Sequence, residues 1–234
     1  MELLNNGIIF FENLLLGSSD EQLFQPSGIA VACSGCRESD DCTVYVLDAG
    51  NERIAKYSRH LQLLGYLRSS AVAGHSATGM CATQCGTRLW IANWKLRSVM
   101  EVASDSGAVL RTVSLAFMKE PVDVALNSCG HLLIADAERA TVYVVELLSS
   151  SNECRLLYEC GSRGGGPGQF QQNTLRTVTS GANDDVVAAD ATRIQIFSRQ
   201  GKFIRSLSTT IGTAHLFCNI SNFLPFFQHS FSIP

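Results

Sequence analysis

Charge is scarce in this chain: only 17% of its 234 residues are Asp, Glu, Lys or Arg, and the net charge is -3. Set beside a hydrophobic content of 46%, that scarcity excludes a disordered chain and allows a sizeable core. The slight acidity excludes bulk attraction to nucleic acid, although it leaves room for a local basic patch. Long apolar runs are missing too, and none approaches the roughly 18 residues that a membrane-spanning helix needs. The stretch 1–17 is apolar, but no basic segment precedes it and Glu12 interrupts it. A secretory leader is therefore not expected, which makes a cytoplasmic site the default. Helical periodicity is absent throughout, and there is no Gly-x-Ser-x-Gly elbow or Walker loop.

Cysteine, by contrast, is abundant, with nine residues. Cys33, Cys36 and Cys42 crowd one loop, and Cys81 and Cys85 fall at matching places one unit later. Reduced thiols are the expectation for a cytoplasmic chain, with a Cys33–Cys42 disulfide as the alternative for an exported one. Zinc is not expected, since Cys33-Ser-Gly-Cys36 supplies one clean pair where four ligands are needed.

The most informative stretch is 44–57, Val-Tyr-Val-Leu-Asp-Ala-Gly-Asn-Glu-Arg-Ile-Ala-Lys-Tyr. Two apolar, β-branched and aromatic runs flank an Asp-Ala-Gly-Asn turn, which reads as a hairpin. The pattern recurs. Asp48, Asn93, Asp136 and Asp190 mark equivalent turns at roughly 45-residue intervals, each within a unit of four short strands. The last interval is lengthened by the glycine-rich segment 161–170, read as a connection between units because it lacks the Lys-Ser/Thr ending of a phosphate loop. A lone four-stranded sheet cannot hide both faces, so the units must stack. Ile29, Val31, Val44, Val46, Leu89, Ile91, Val124, Leu133, Val142, Val186, Ile194 and Ile196 form the expected core.

These units resemble NHL repeats. Phe24, Pro26, Gly28 and Ile29 match the opening of the repeat, and residues 44–57 match its hairpin nearly throughout. Gly168-Gln-Phe170 and Gly201-Lys-Phe203 match its first and last parts in the fourth unit. The match is strong in units one and four and degenerate in two and three. It implies an all-β propeller with about four recognisable blades at 24–207. A partial preceding blade is expected at 1–23 and an irregular apolar tail at 208–234. NHL propellers usually carry six blades, so an incomplete ring is expected.

The resemblance also bears on function. NHL propellers often form the substrate-recognition end of tripartite-motif ubiquitin ligases, and this chain shows no RING, B-box or coiled coil. A non-catalytic protein-interaction scaffold is the expectation, with a role beside the ubiquitination pathway as its finer form. RNA binding on a basic face is the alternative, and a metal-dependent lyase or lactonase is the remote one. Candidate binding residues are Trp94, Lys95, Arg97, Arg53 and Arg193, on the turns. Asp48, Asn51, Asn93, Asp136 and Asp190 are expected to hold the turns. His75 and His131 occupy different places in their units, so no metal, cofactor, catalytic residue or small-molecule substrate is expected.

Overall fold

The computed structural model describes residues 17, 19, 22–33, 42–148 and 153–208. The partial blade expected at the start falls mostly outside the described residues, and so do the apolar tail, Cys36 and Cys218.

Each unit is a four-stranded antiparallel meander. Blade 1 comprises β1 (Pro26–Cys33), β2 (Cys42–Asp48), β3 (Arg53–Ser58) and β4 (Leu63–Leu67). Blade 2 comprises β5 (Ala77–Ala82), β6 (Arg88–Asn93), β7 (Ser98–Ala103) and β8 (Val109–Val113). Blade 3 comprises β9 (Pro121–Leu126), β10 (Leu132–Asp136), β11 (Thr141–Leu147) and β12 (Cys154–Cys160). Blade 4 comprises β13 (Thr177–Ser180), β14 (Val186–Ala189), β15 (Arg193–Phe197) and β16 (Phe203–Ser208). The fold is a β-propeller, and four blades are seen among the described residues where six are usual in the resembled family.

The first strands pack in series, β1 on β5, β5 on β9 and β9 on β13, and no comparable contact among the described residues returns β13 to β1. Blades meet face to face through three apolar interfaces. Leu47, Ile54, Met80 and Ile91 lie in the first, Trp90, Val99, Ile134 and Tyr143 in the second, and Leu133, Val144, Phe170 and Phe197 in the third. Because blades 2 and 3 are covered on both sides, strands such as β10 are buried at every position. That explains their continuous apolar runs in place of strict alternation.

Nine of the twelve expected core residues are buried; Val31, Ile194 and Ile196 are only half-buried. All three lie on end faces of the row. Ile194 and Ile196 point away from blade 3, where no further described blade covers them, whereas Gln195 and Phe197 between and beyond them are buried.

Hydroxyls tie the first strands together near the axis. Ser27 Oγ donates to Ala77 O at 2.9 Å, and Thr78 Oγ1 donates to Val122 O at 2.7 Å. The third junction differs, because the equivalent of Ser27 and Thr78 in blade 3 is Val122, which has no hydroxyl. Asp123 bridges instead, accepting from Thr177 Oγ1 at 2.6 Å and from the Val178 N–H at 2.9 Å. Its carboxyl is buried, and that burial pushes its pKa up to about 7 against the pull of these donors. Gly79 packs directly on Asp123, so a methyl group there would collide with the carboxylate.

The expectation of reduced thiols is corrected at one pair. Cys33 and Cys42 are directly opposite across β1 and β2 and form a disulfide, since register alone brings their Cα atoms within 4.1 Å. Cys81, Cys85, Cys129, Cys154 and Cys160 are free. Cys85 is exposed, and hydrogen bonds from the Thr83 and Thr87 hydroxyls lower its pKa to about 7.

Candidate functional site

In an up-and-down sheet, the turn between the second and third strands lies at the same end as the link into the first strand. One end of the propeller is therefore built from the turns at 48–53, 93–98, 136–141 and 190–193 and from the links between blades. All ten residues singled out from the sequence lie here.

The expected turn residues do more than close their own hairpins: most of them clamp the incoming link. Asp48 Oδ1 accepts from the Phe24 N–H at 2.7 Å, while Oδ2 accepts from Asn51 Nδ2 at 2.8 Å and from Arg53 Nε at 2.7 Å. Asn93 is fully buried and uses both ends of its amide. Its Nδ2 donates to Ala71 O at 3.0 Å, and its Oδ1 accepts from Ser76 Oγ at 2.8 Å and from the Leu96 N–H at 3.1 Å. Asp136 accepts from the N–H groups of Lys119, Glu120 and Arg139. Asp190 stays local, accepting from the backbone and hydroxyl of Thr192 and from Arg193. These partners give each buried carboxylate or amide a structural task.

Arg53 and Arg193, considered as surface contacts, are committed elsewhere. Arg53 is 4% exposed, stacks 3.8 Å from the Tyr66 ring centroid, and donates to Ser19 O and Gln22 O at 3.0 and 2.6 Å. Arg193 donates to Gly165 O at 3.0 Å and to Gln169 O at 2.7 Å. The two arginines do the same job on two copies of one loop. In the first copy the Gly17 N–H donates to Leu23 O, and a side chain at Gly17 would strike the Gln22 amide. In the second the Gly164 N–H donates to Phe170 O, and a side chain at Gly164 would strike Gln169. The spacing Gly17-x-Ser-x-x-Gln22-Leu23 thus repeats as Gly164-x-Gly-x-x-Gln169-Phe170. Leu23, 2% exposed, is therefore the counterpart of buried Phe170, whereas Phe24, matched to it by sequence, is 44% exposed. The Gly-to-Gln spacing was the signal that would have found this loop.

Trp94, Lys95 and Arg97 do reach the surface, on the turn that Asn93 pins. Trp94 is 37% and its neighbour Leu96 54% exposed, the Lys95 ammonium lies 5.5 Å from the Trp94 ring centroid, and Lys95 Nζ donates to Gly74 O at 2.8 Å. Beside them Glu52 Oε1 accepts from the Gly74 N–H at 2.6 Å and faces His75 Nε2 at 3.6 Å. His131 sits at the other end, with Nδ1 3.3 Å from Asn127 Nδ2. Among the described residues no group of three or more His, Cys, Asp or Glu side chains could hold a metal, and no helix is long and apolar enough to cross a membrane. A polar cleft of ≈ 180 Å³ opens between the glycine-rich link and the last turn, lined by Gly165, Gln171, Thr174, Asp190, Thr192 and Arg193 among others. Pockets for small-molecule ligands are commonly about 300–1,000 Å³.

No family model matches the chain, and no curated protein does. Solved structures do. A propeller in a nidogen/laminin complex superposes with a TM-score of 0.56 at 14% identity, over 82% of this chain and 66% of that one. Hydrazine synthase from Kuenenia stuttgartiensis gives 0.55 at 11% identity, over 80% and 51%. A catalytically inactive virginiamycin B lyase from Staphylococcus aureus, with quinupristin, gives 0.54 at 13%, over 84% and 58%. At such identities the likeness establishes the propeller fold alone. The chain spans between about half and two thirds of the length of these structures.

Proposed function

We propose that the end of the propeller carrying Trp94 and Leu96 binds a protein partner and that the chain is a non-catalytic scaffold of NHL type. The observation that carries this reading is an exposed aromatic and aliphatic pair on a turn made rigid from below by Asn93. Rigid presentation lowers the ordering cost of binding, and an aromatic anchor supplies much of the contact energy. The hydrogen bonds of the turn carboxylates to backbone N–H groups support a structural task for them at this end. The neighbouring folds include both a lyase and a propeller within a protein complex, so the likeness is compatible with a partner without selecting one. A place beside a ubiquitin ligase, as substrate-recognition element, is the finer form of this proposal. So is a cytoplasmic site, which the Cys33–Cys42 disulfide opposes because such bonds persist in oxidising compartments.

The test is site-specific photo-crosslinking in cells, with a benzophenone side chain at position 96 or, at the opposite end of the same blade, at position 84. A discrete partner crosslinked from 96 and not from 84 is the expected result. Equal capture from both ends, or capture from 84 alone, would overturn the assignment of the face.

A further inference from the structure

The proposed binding end is unevenly charged. Lys95, Arg97, Lys119, Arg139, Arg163 and Arg176 stand on it, exposed or half-exposed, although the chain as a whole is net acidic. Among the described residues the acidic side chains there, apart from the turn clamps, are Glu52, Glu120 and Glu138. Several of these groups are already occupied. Lys95 donates to Gly74 O, Arg139 Nε to Phe117 O at 3.1 Å and Arg163 to Glu138 O at 3.2 Å, while Glu52 accepts from Gly74 and faces His75. The side chains of Arg97, Lys119 and Arg176 make no hydrogen bond or ion pair with a described residue. They come from the blade 2 turn and from the links into blades 3 and 4, so they follow one another along the row. Glu120 beside them is half-buried; its burial and the nearby Asp136 and Glu138 raise its pKa, against the pull of Arg176.

We infer that this end accepts an acidic, extended protein segment, with carboxylates on Arg97, Lys119 and Arg176 and an apolar residue against Trp94 and Leu96. The inference rests on the partner-binding reading above and names the chemistry of that partner. Uncommitted cations on fixed backbone are the natural complement of carboxylates, and they select partners and speed encounter. A nucleic-acid strand fits less well. Single-strand binding uses a basic groove with a run of stacking aromatics, whereas the cations here are spread over separate blades of a chain that is net acidic.

Fluorescence anisotropy on the full chain tests this with three labelled probes: a peptide of repeating Asp-Leu-Glu-Gly, its Asn-Leu-Gln-Gly twin and an oligouridine. The acidic peptide should bind at least about tenfold more tightly than its amide twin, and the gap should shrink as salt shortens the Debye length. Combining Arg97→Glu, Lys119→Glu and Arg176→Glu should weaken it by about tenfold or more, with the melting transition preserved. Arg199→Glu with Lys202→Glu, on the outer turn at the other end of blade 4, should leave it unchanged. If the triple reversal fails to fold, the milder Arg97→Gln, Lys119→Gln and Arg176→Gln set takes its place. Equal binding of the two peptides, equal loss in the opposite-end control, or preference for oligouridine would each overturn the inference. A partner crosslinked from position 96 while the acidic probe fails would retain the binding face and remove only its acidic specificity. Failure of both experiments would remove the face as well.

Discussion

Units one and four hold a looped link with an arginine that collects several of its carbonyls, whereas units two and three lead with a short side chain, Asn93 or Asp136, to which Lys95 on Gly74 O and Arg139 on Phe117 O each add one contact. In the outer pair the chain enters through a loop whose glycine and glutamine fold it back on itself, and Arg53 or Arg193 collects the loop carbonyls. In the inner pair the link is held directly, through the amide of Asn93 or the carboxylate of Asp136. The difference explains why the repeat pattern is sharp in units one and four. A looped link leaves several carbonyls to satisfy away from strand pairing, and only a residue set including Gly, Gln, Asp and Arg can satisfy them.

The two arginines are not equally embedded, and that difference can be broken experimentally. Arg53→Ala should produce the largest loss, about 3–5 kcal/mol, because it takes the paired cation from the fully buried Asp48 carboxylate, leaving it the neutral Phe24 N–H and Asn51 donors, and removes the donor to Ser19 O and Gln22 O. Arg193→Ala should cost less, about 1–2 kcal/mol, since its partner Asp190 keeps the Thr192 and backbone donors. Urea unfolding of both variants measures this. Equal losses would mean that the two loops are held alike.

A second contrast sets the Asp123 junction against the two made by hydroxyls. The carboxyl titrates near 7 when folded, and near 4 in an unfolded chain. Between those values the native state binds more protons than the unfolded one. The stabilisation from this group is thus complete below about pH 4 and is lost as pH rises through about 7, up to about 4 kcal/mol. The stability difference between the parent chain and Asp123→Asn should drift across that window. A pH-independent difference would show that the junction does not titrate there.

Exchanging the inner clamps comes next in size. Asn93→Asp loses the donor to Ala71 O, and Asp136→Asn turns its amide NH2 against the Lys119 N–H or against the Glu120 and Arg139 N–H pair. Each should cost about 1–3 kcal/mol in thermal or urea melts. If either exchange were neutral, the two clamps would be interchangeable and the distinction between them empty. A last pair of substitutions tests the register of the looped links. Leu23→Ala should cost about 2–3 kcal/mol and Phe24→Ala less than about 1 kcal/mol, the reverse of what the matched phenylalanines imply.

The sequence alone determined the blade. Turn residues at a regular interval and apolar runs too short for helices admit little besides stacked four-stranded sheets, and Asp48, Asn93, Asp136 and Asp190 all stand where their spacing placed them. Spacing speaks for local hydrogen bonding, where partners lie a few residues apart. Tertiary structure decided what depends on distant partners. Arg53 reads as a surface cation until Ser19 and Gln22 arrive from more than thirty residues away. Asp123 has no motif around it, and its role appears only when Thr177 comes to it across a blade boundary. Ile194 and Ile196 follow the core pattern of every other unit, yet their burial depends on a neighbouring sheet that no local pattern can supply. The proposed binding face belongs to this second class, because its cations come from separate turns and links that share one end only when the blades stack.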